Sequence, residues 1–208
     1  MRSIIQDERS GKLSRVTILL LLLFHVFEQG IFAQNTPPVT AENITYYDQQ
    51  FFLIEGTPFA ASVKENIYDR LPLSYKDKVR VPVWNLSKAS AGISVRFFSN
   101  STSIRVRWEL LNDRKMNHMA ETGIKGIDLY FKNGDNWQYL NTARPSGKTN
   151  DFLLIENMSA ERREYRMYLP LYDGVTKLEV GIDNLSSIEK PVIVYQKPIV
   201  FYGTSITQ

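Results

Sequence analysis

Short stretches of the chain alternate apolar and polar side chains with a period of two, which is typical of strands with one buried and one exposed face. The clearest stretch runs over residues 104–110, and its apolar positions are Ile104, Val106, Trp108 and Leu110. The same alternation occurs at Ile93/Val95/Phe97, Ile127/Leu129/Phe131, Trp137/Tyr139, Tyr165/Met167/Leu169 and Leu178/Val180/Ile182. These stretches predict a chain built mainly from short β-strands.

Turn-forming residues between these stretches predict how the strands are joined. Residues 99–102, Ser-Asn-Ser-Thr, are predicted to close a hairpin between the strands at 93–97 and 104–110. Asn133-Gly134 is predicted to close a second hairpin, because both residue types tolerate positive φ. Residues 60–69 could form a turn of helix, but no long stretch after residue 40 repeats with helical spacing.

Half-buried antiparallel strands at this spacing indicate two packed sheets. We therefore predict an all-β fold over residues 51–196, an antiparallel and jelly-roll-like β-sandwich. The side chains predicted to face its core are Ile104, Val106, Trp108, Leu129 and Phe131.

The first 33 residues have the three parts of a secretory signal peptide: a basic start, the apolar run 16–27, and Ile31-Phe32-Ala33 as a cleavage site. A retained membrane anchor is the competing interpretation, but the apolar run is shorter than the ~20 residues that a bilayer requires. We expect a mature chain that begins near Gln34, is secreted or periplasmic, and has no membrane contact after cleavage. Residues 34–50 are expected to be a linker, since they begin with polar residues and Pro37-Pro38.

The composition of the chain bears on which partners and which metal or cofactor sites are expected. Of the 208 residues 43% are hydrophobic and 23% charged, which is ordinary for a globular protein, and the formal charge is +3. Arg96, Arg105 and Arg107 form the only basic stripe, and a solvated sheet face explains it, so no nucleic-acid partner is expected. Cysteine is absent and there are two histidines, so we expect no disulfide framework, no metal site and no cofactor.

The end of the sequence has a different pattern. Residues 199–202, Ile-Val-Phe-Tyr, are continuously apolar, as in a parallel strand that is covered on both faces. Gly203-Thr204-Ser205 follows, and a strand ending in Gly-x-Ser can place a serine hydroxyl at the edge of an α/β sheet. Without further context, the interpretation of Ser205 as a turn or helix N-cap serine is the favoured one.

Two motifs resemble a known family. Residues 203–208, Gly-Thr-Ser-Ile-Thr-Gln, resemble the first block of the SGNH/GDSL hydrolases. Residues 126–130, Gly-Ile-Asp-Leu-Tyr, resemble the Gly-x-Asp-Leu-Tyr signature of the β-sandwich that precedes the catalytic domain in secreted bacterial members. Further similarity lies at residues 68–72, 83–87, 90–92 and 106–108.

The resemblance implies that residues 197–208 begin an α/β hydrolase domain in which Ser205 is the catalytic nucleophile and its backbone N–H contributes to the oxyanion hole. It also implies a C-terminal SGNH catalytic domain as partner, since the family's later Asp-x-x-His and oxyanion blocks are not found here. Thr204 stands where the family usually has aspartate. We expect the chain to be the leading part of an exported ester hydrolase for acylated carbohydrates, inactive alone.

A different class of function also fits the sequence. Trp137 and Tyr139, together with Tyr130, could form a platform for polysaccharide, so that the chain would act alone as a carbohydrate-binding or scaffold module. Alternating aromatic residues on strands more often pack across strands, and we favour that interpretation. His118 could replace the missing base or bind a metal, but we expect a loop residue.

Overall fold

A computed structural model describes residues 43–193 and Ile199. Ten strands lie within this part of the chain: β1 Ile44–Tyr47, β2 Leu53–Glu55, β3 Ser94–Ser99, β4 Ile104–Leu110, β5 Ile127–Asn133, β6 Asn136–Ala143, β7 Thr149–Ile155, β8 Arg163–Tyr168, β9 Val175–Asp183 and β10 Ile188–Glu189. Helices are short: α1 is Val81–Ser87, α2 is Glu121–Lys125, and two 3-10 helices span Ala61–Val63 and Leu73–Tyr75.

The strands form two antiparallel sheets. The smaller sheet has the order β1-β9-β4-β7. The larger sheet has the order β10-β3-β8-β5-β6, and β2 pairs with β3 along the same edge as β10. The predicted all-β sandwich is therefore confirmed.

One hydrophobic core fills the space between the sheets. Ile104, Val106, Trp108 and Leu129 are at most 1% exposed, as predicted, while Phe131 is partly buried and packs against this core. The alternation in β4 is visible directly, since Arg105, Arg107 and Glu109 lie outside the core. Burial of these apolar faces is the main source of stability in a domain without disulfides.

The predicted hairpin between β3 and β4 is wrong. β3 belongs to the larger sheet and pairs with β8, whereas β4 belongs to the smaller sheet and pairs with β7 and β9. Residues 99–103 therefore cross from one sheet to the other. The crossover buries three serines, Ser99, Ser101 and Ser103. Each of them takes part in a network of hydrogen bonds, so this segment is not a surface turn.

The second predicted hairpin is present. β5 and β6 pair antiparallel out to Asn133 and Asn136, so the two loop residues are Gly134 and Asp135 rather than Asn133 and Gly134. Gly134 has a φ of 59° and supplies the positive φ that the first position of such a turn requires.

The folded domain begins before residue 51, where the sequence predicts its start. β1 lies inside the segment expected as linker and pairs with β9, so the folded domain reaches at least to Ile44. The leader at 1–33, Ser205 and the rest of 197–208 apart from Ile199 lie outside the described residues. No helix within residues 43–193 is long and apolar enough to cross a membrane.

Candidate functional site

His118 does not form a catalytic arrangement within residues 43–193. Its ring is exposed, and Nδ1 lies 3.0 Å from Oδ1 of the neighbouring Asn117. No hydrogen bond joins it to a serine in the part of the chain that the structure describes. Within that part there is also no cluster of three or more histidine, cysteine or carboxylate side chains that could hold a metal ion. His118 is therefore a loop residue in this structure.

Gly126, the first residue of the Gly-x-Asp-Leu-Tyr signature, is required by close packing. It lies between α2 and β5, and its N–H donates to the carbonyl of Thr122. A Cβ at this position would lie 2.4 Å from the Thr122 oxygen and 3.0 Å from the Ala143 oxygen. Glycine thus allows α2 to end directly against the last residue of β6.

The other signature residues also have structural roles. Leu129 is fully buried in the core, and Asp128 accepts a hydrogen bond from Oγ1 of Thr142 at 2.6 Å. Because that hydroxyl proton is directed to Asp128, the Tyr139 hydroxyl donates to Thr142, at 2.8 Å. The signature therefore fixes β5 against β6.

Tyr130, the last signature residue, lies on the outer face of the larger sheet between two other tyrosines. Its ring centroid is 5.5 Å from that of Tyr139 on β6 and 5.5 Å from that of Tyr168 on β8, both in edge-to-face geometry. We call Tyr139, Tyr130 and Tyr168 the tyrosine row. Burial raises the pKa of Tyr130, and the nearby Asp128, Tyr168 and Tyr139 raise it further. Tyr139 and Tyr168 remain 51% and 38% exposed.

Trp137 and Tyr139 lie on the same sheet face, as their spacing predicts. Trp137 is half-buried, because the Arg166 guanidinium carbon lies 4.4 Å from its ring centroid and covers one face of the ring. Arg166 also lies 5.9 Å from the Tyr168 ring. The sequence prediction missed Arg166 and Tyr168. Both alternate along β8 with the buried Tyr165 and Met167, and this spacing indicates that both point outward.

The charges on this face are paired. Arg96 and Arg166 each lie 3.0 Å from Glu55, and Arg96 also lies 2.9 Å from Glu164. Lys132 is 3.8 Å from Glu164. The outer face of the larger sheet therefore combines exposed tyrosine rings with neutralised charges.

The three arginines that sequence spacing grouped as a stripe lie on different sheets. Arg96 belongs to the larger sheet, whereas Arg105 and Arg107 belong to the smaller sheet, where both bind Asp151 at 2.9 and 2.8 Å. Arg107 also lies over the ring of Tyr46, 3.5 Å from its centroid. No continuous basic patch results from these three residues.

A cleft of about 260 Å³ lies between residues 65–69, Lys88, Leu111 and residues 174–176. Lys88 Nζ lies 2.5 Å from Glu65 and 2.6 Å from Asp69, so its charge is satisfied inside the protein. The Trp84 ring centroid lies 4.2 Å from the same nitrogen. The volume of the cleft lies just below the range of about 300–1,000 Å³ that is usual for ligand pockets. Its charged groups already bind one another.

Comparison with known proteins identifies the family. Residues 44–188 match the GxDLY family, described as the N-terminus of SGNH-hydrolase-type esterases. No curated protein matched the sequence. A crystal structure of a Bacteroides ovatus protein named as a GDSL-like lipase matches with a TM-score of 0.66 and 31% identity, over 71% of this chain and 43% of that one.

A second solved structure shares the fold alone. It is a salicylyl-acyltransferase from a tetracycline biosynthetic pathway, with a TM-score of 0.51 and 12% identity, over 74% of this chain and 44% of that one. The matched region is less than half of each of these two proteins. Since the family match spans most of the chain and includes the signature at 126–130, this chain belongs to the GxDLY family, the N-terminal domain of SGNH-hydrolase-type esterases.

Proposed function

We propose that the chain is the non-catalytic N-terminal part of an exported carboxylester hydrolase that removes acyl groups from carbohydrates. In this proposal the reacting groups lie in an SGNH domain that follows the sandwich, begins at residue 197 and takes its nucleophile, Ser205, from this chain. The observation that carries the proposal is the family match over residues 44–188. The packing roles of Gly126, Asp128 and Leu129 agree with it, because they explain the signature without a reaction at this domain.

The proposed chemistry follows from the needs of a serine nucleophile. A serine hydroxyl reacts poorly with an ester unless a neighbouring base takes its proton. The Ser205 oxygen would attack the ester carbonyl carbon, a histidine of the C-terminal domain would take the serine proton, and the Ser205 N–H would stabilise the oxyanion. His118 is exposed on its loop and bound to Asn117, so it is not proposed as that base.

Hydrolysis of p-nitrophenyl acetate and labelling by a fluorophosphonate probe test this assignment. We expect the 208-residue chain to show no rate above buffer and no label at Ser205, because the base is missing. A longer polypeptide that includes the C-terminal domain should show both, and Ser205→Ala should abolish both. Labelling of the 208-residue chain at Ser205 would contradict the proposal and return His118 to consideration.

The second candidate is a carbohydrate-binding or scaffold module that acts alone. It is favoured by the 51% exposure of Tyr139 on a sheet face. The gene separates the two candidates: a reading frame that continues beyond codon 208 to an Asp-x-x-His sequence supports the hydrolase, and a stop codon at 209 supports the separate module.

A further inference from the structure

The tyrosine row is an exposed aromatic surface that packing alone does not explain. Its three rings lie on three adjacent strands, β6, β5 and β8, on the side of the larger sheet that faces away from the core. Tyr139 and Tyr168 leave 51% and 38% of their surface in solvent, although Ala143, Leu129 and Met167 on the core side of the same three strands are fully buried. The described part of the chain places no element over these rings.

The surroundings of the row are close to electrically neutral. The charged side chains near the row are the cations Arg96, Arg166 and Lys132 and the carboxylates Glu55, Glu164 and Asp128. Beside Phe98 on the same sheet, Arg162 pairs with Glu189 at 2.8 Å. The arginines and the lysine lie within ion-pair distance of Glu55 or Glu164, so none presents an unpaired charge to a ligand. Such a surface has no strong attraction for polyanions or polycations.

Hydrogen-bonding groups lie at both ends of the row. At one end, the Tyr139 hydroxyl, Thr142 and the Asp128 carboxylate form a chain with contacts of 2.8 and 2.6 Å. At the other end, Arg166 Nη1 lies 3.4 Å from the Tyr168 hydroxyl. Aromatic faces flanked by a carboxylate, hydroxyls and a guanidinium suit a ligand that has both C–H faces and many hydroxyl groups.

We propose that the tyrosine row is a binding surface for a neutral polysaccharide, with Tyr139 and Tyr168 contacting sugar rings and Asp128, Thr142 and Arg166 positioned to hydrogen-bond hydroxyls. This inference deepens the proposed function, on which it rests, by naming the surface that holds the carbohydrate. Tyr130 separates the two exposed rings, so a chain of sugars would cross the strands of the sheet. Arg166 covers one face of the Trp137 ring, so that face is not open for stacking on a sugar. Trp137 instead helps to position the Arg166 guanidinium.

Affinity electrophoresis of the 208-residue chain in gels that contain xylan, glucomannan or mixed-linkage glucan tests this surface. We expect retardation by at least one of these neutral polysaccharides. Tyr139→Ala and Tyr168→Ala should each raise the apparent Kd by ~10-fold or more through loss of ring contact. Tyr139→Phe keeps the ring and removes only the hydroxyl that contacts Thr142, so its apparent Kd should rise less than that of Tyr139→Ala.

The matched control is Tyr75→Ala, because Tyr75 is 40% exposed but lies in a 3-10 helix outside the sheet. It should bind as the unchanged chain does, and near-ultraviolet circular dichroism should show that every variant is folded. No retardation by any of the three polysaccharides, or equal loss in Tyr75→Ala, overturns the proposal. A third result would also overturn the proposal: sedimentation velocity shows that the unchanged chain is a dimer and that Tyr168→Ala is a monomer. The row would then be a contact between two copies of the chain.

The binding measurement involves no ester hydrolysis. A chain that fails to bind sugar therefore leaves the proposed hydrolase role intact, and a longer polypeptide that fails to hydrolyse esters leaves the binding result intact. The two proposals can fail separately.

Discussion

The carboxylate of Asp183 accepts hydrogen bonds from three consecutive residues of the crossover between the sheets. Ser101 Oγ, Thr102 Oγ1 and Ser103 Oγ donate at 2.9, 2.6 and 2.7 Å, and the N–H groups of Thr102 and Ser103 donate at 3.0 and 3.2 Å. Burial acts to raise the pKa of Asp183, but these hydrogen bonds outweigh it and the pKa is lowered. The ionised carboxylate therefore stabilises the folded domain.

Asp183→Asn should lower the free energy of unfolding at neutral pH by ~2–3 kcal/mol, because the amide cannot accept all of these bonds and leaves buried hydroxyls without a partner. The unfolded aspartate binds protons more readily than the folded one, so this contribution is present above about pH 4 and is lost as pH falls through the folded pKa. Urea unfolding at several pH values measures both effects.

The Asp183 variant should thus lose less stability on acidification than the unchanged chain. Asp135→Asn, in the exposed turn between β5 and β6, is the control and should change neither the stability nor its pH dependence. Equal acid sensitivity in the unchanged chain and the Asp183 variant would contradict this account.

At the scale of elements, the sequence pattern predicts strands better than it predicts their partners. The alternation in β4 assigns its buried face correctly, since that depends only on local spacing. The pairing of β3 depends on residues about 70 positions away in β8, with Phe97 opposite Tyr165. The sequence pattern predicts a turn at Ser-Asn-Ser-Thr because Asp183, whose carboxylate these residues bind, is equally remote in sequence.

The missed strands have physical reasons of their own. β7 buries a polar residue, Asn150, whose side chain accepts from the N–H groups of Ser146 and Gly147, and this breaks its apolar alternation. β1 and β10 have only four and two residues, too few for a period of two to be evident. Pairing with long neighbours, rather than their own pattern, makes them strands.

Part of the candidate site can be predicted from the sequence, because residue spacing within one strand decides which side chains share a face. Spacing alone places Trp137 and Tyr139 on one face of β6, and the structure has them there. Arg166 and Tyr168 join them only because β8 lies beside β5, and strand order cannot be inferred from alternation.

Gly126→Ala tests the close packing between α2 and the end of β6. The added Cβ would meet backbone oxygens of Thr122 and Ala143, which cannot move like a side chain, so the free energy of unfolding should fall by ~1–3 kcal/mol. Gly147→Ala is the control, because nothing lies within 4 Å of its Cβ position, and it should be neutral or slightly stabilising. Thermal unfolding of both variants measures the difference, and equal Tm values would contradict the packing argument.

At the scale of the whole molecule, export is a proposal that a cell experiment can test. Expressed in a bacterium with a functional secretory pathway, the chain should appear outside the cytoplasm with a new N-terminus near Gln34, as measured by fractionation and N-terminal sequencing. Leu21→Arg interrupts the apolar run of the leader and should keep the chain inside.

The control for export is Leu185→Arg, which places the same charge at a position of the folded domain that is 100% exposed. It should be exported and cleaved as the unchanged chain is. If the unchanged chain and Leu185→Arg both keep their full length and stay associated with membranes, the result favours a retained membrane anchor over a cleaved signal peptide.

The pairing of β1 with β9 has a consequence for the time course of folding. Ile44 lies opposite Asp183, so β1 cannot pair with β9 until almost all of the domain has been synthesised. Contacts between such distant residues require closure of a long loop, and they slow folding. In a chain that is exported, this delay would leave the polypeptide unfolded for longer while it is still threaded through the membrane, and the sandwich would close only on the far side.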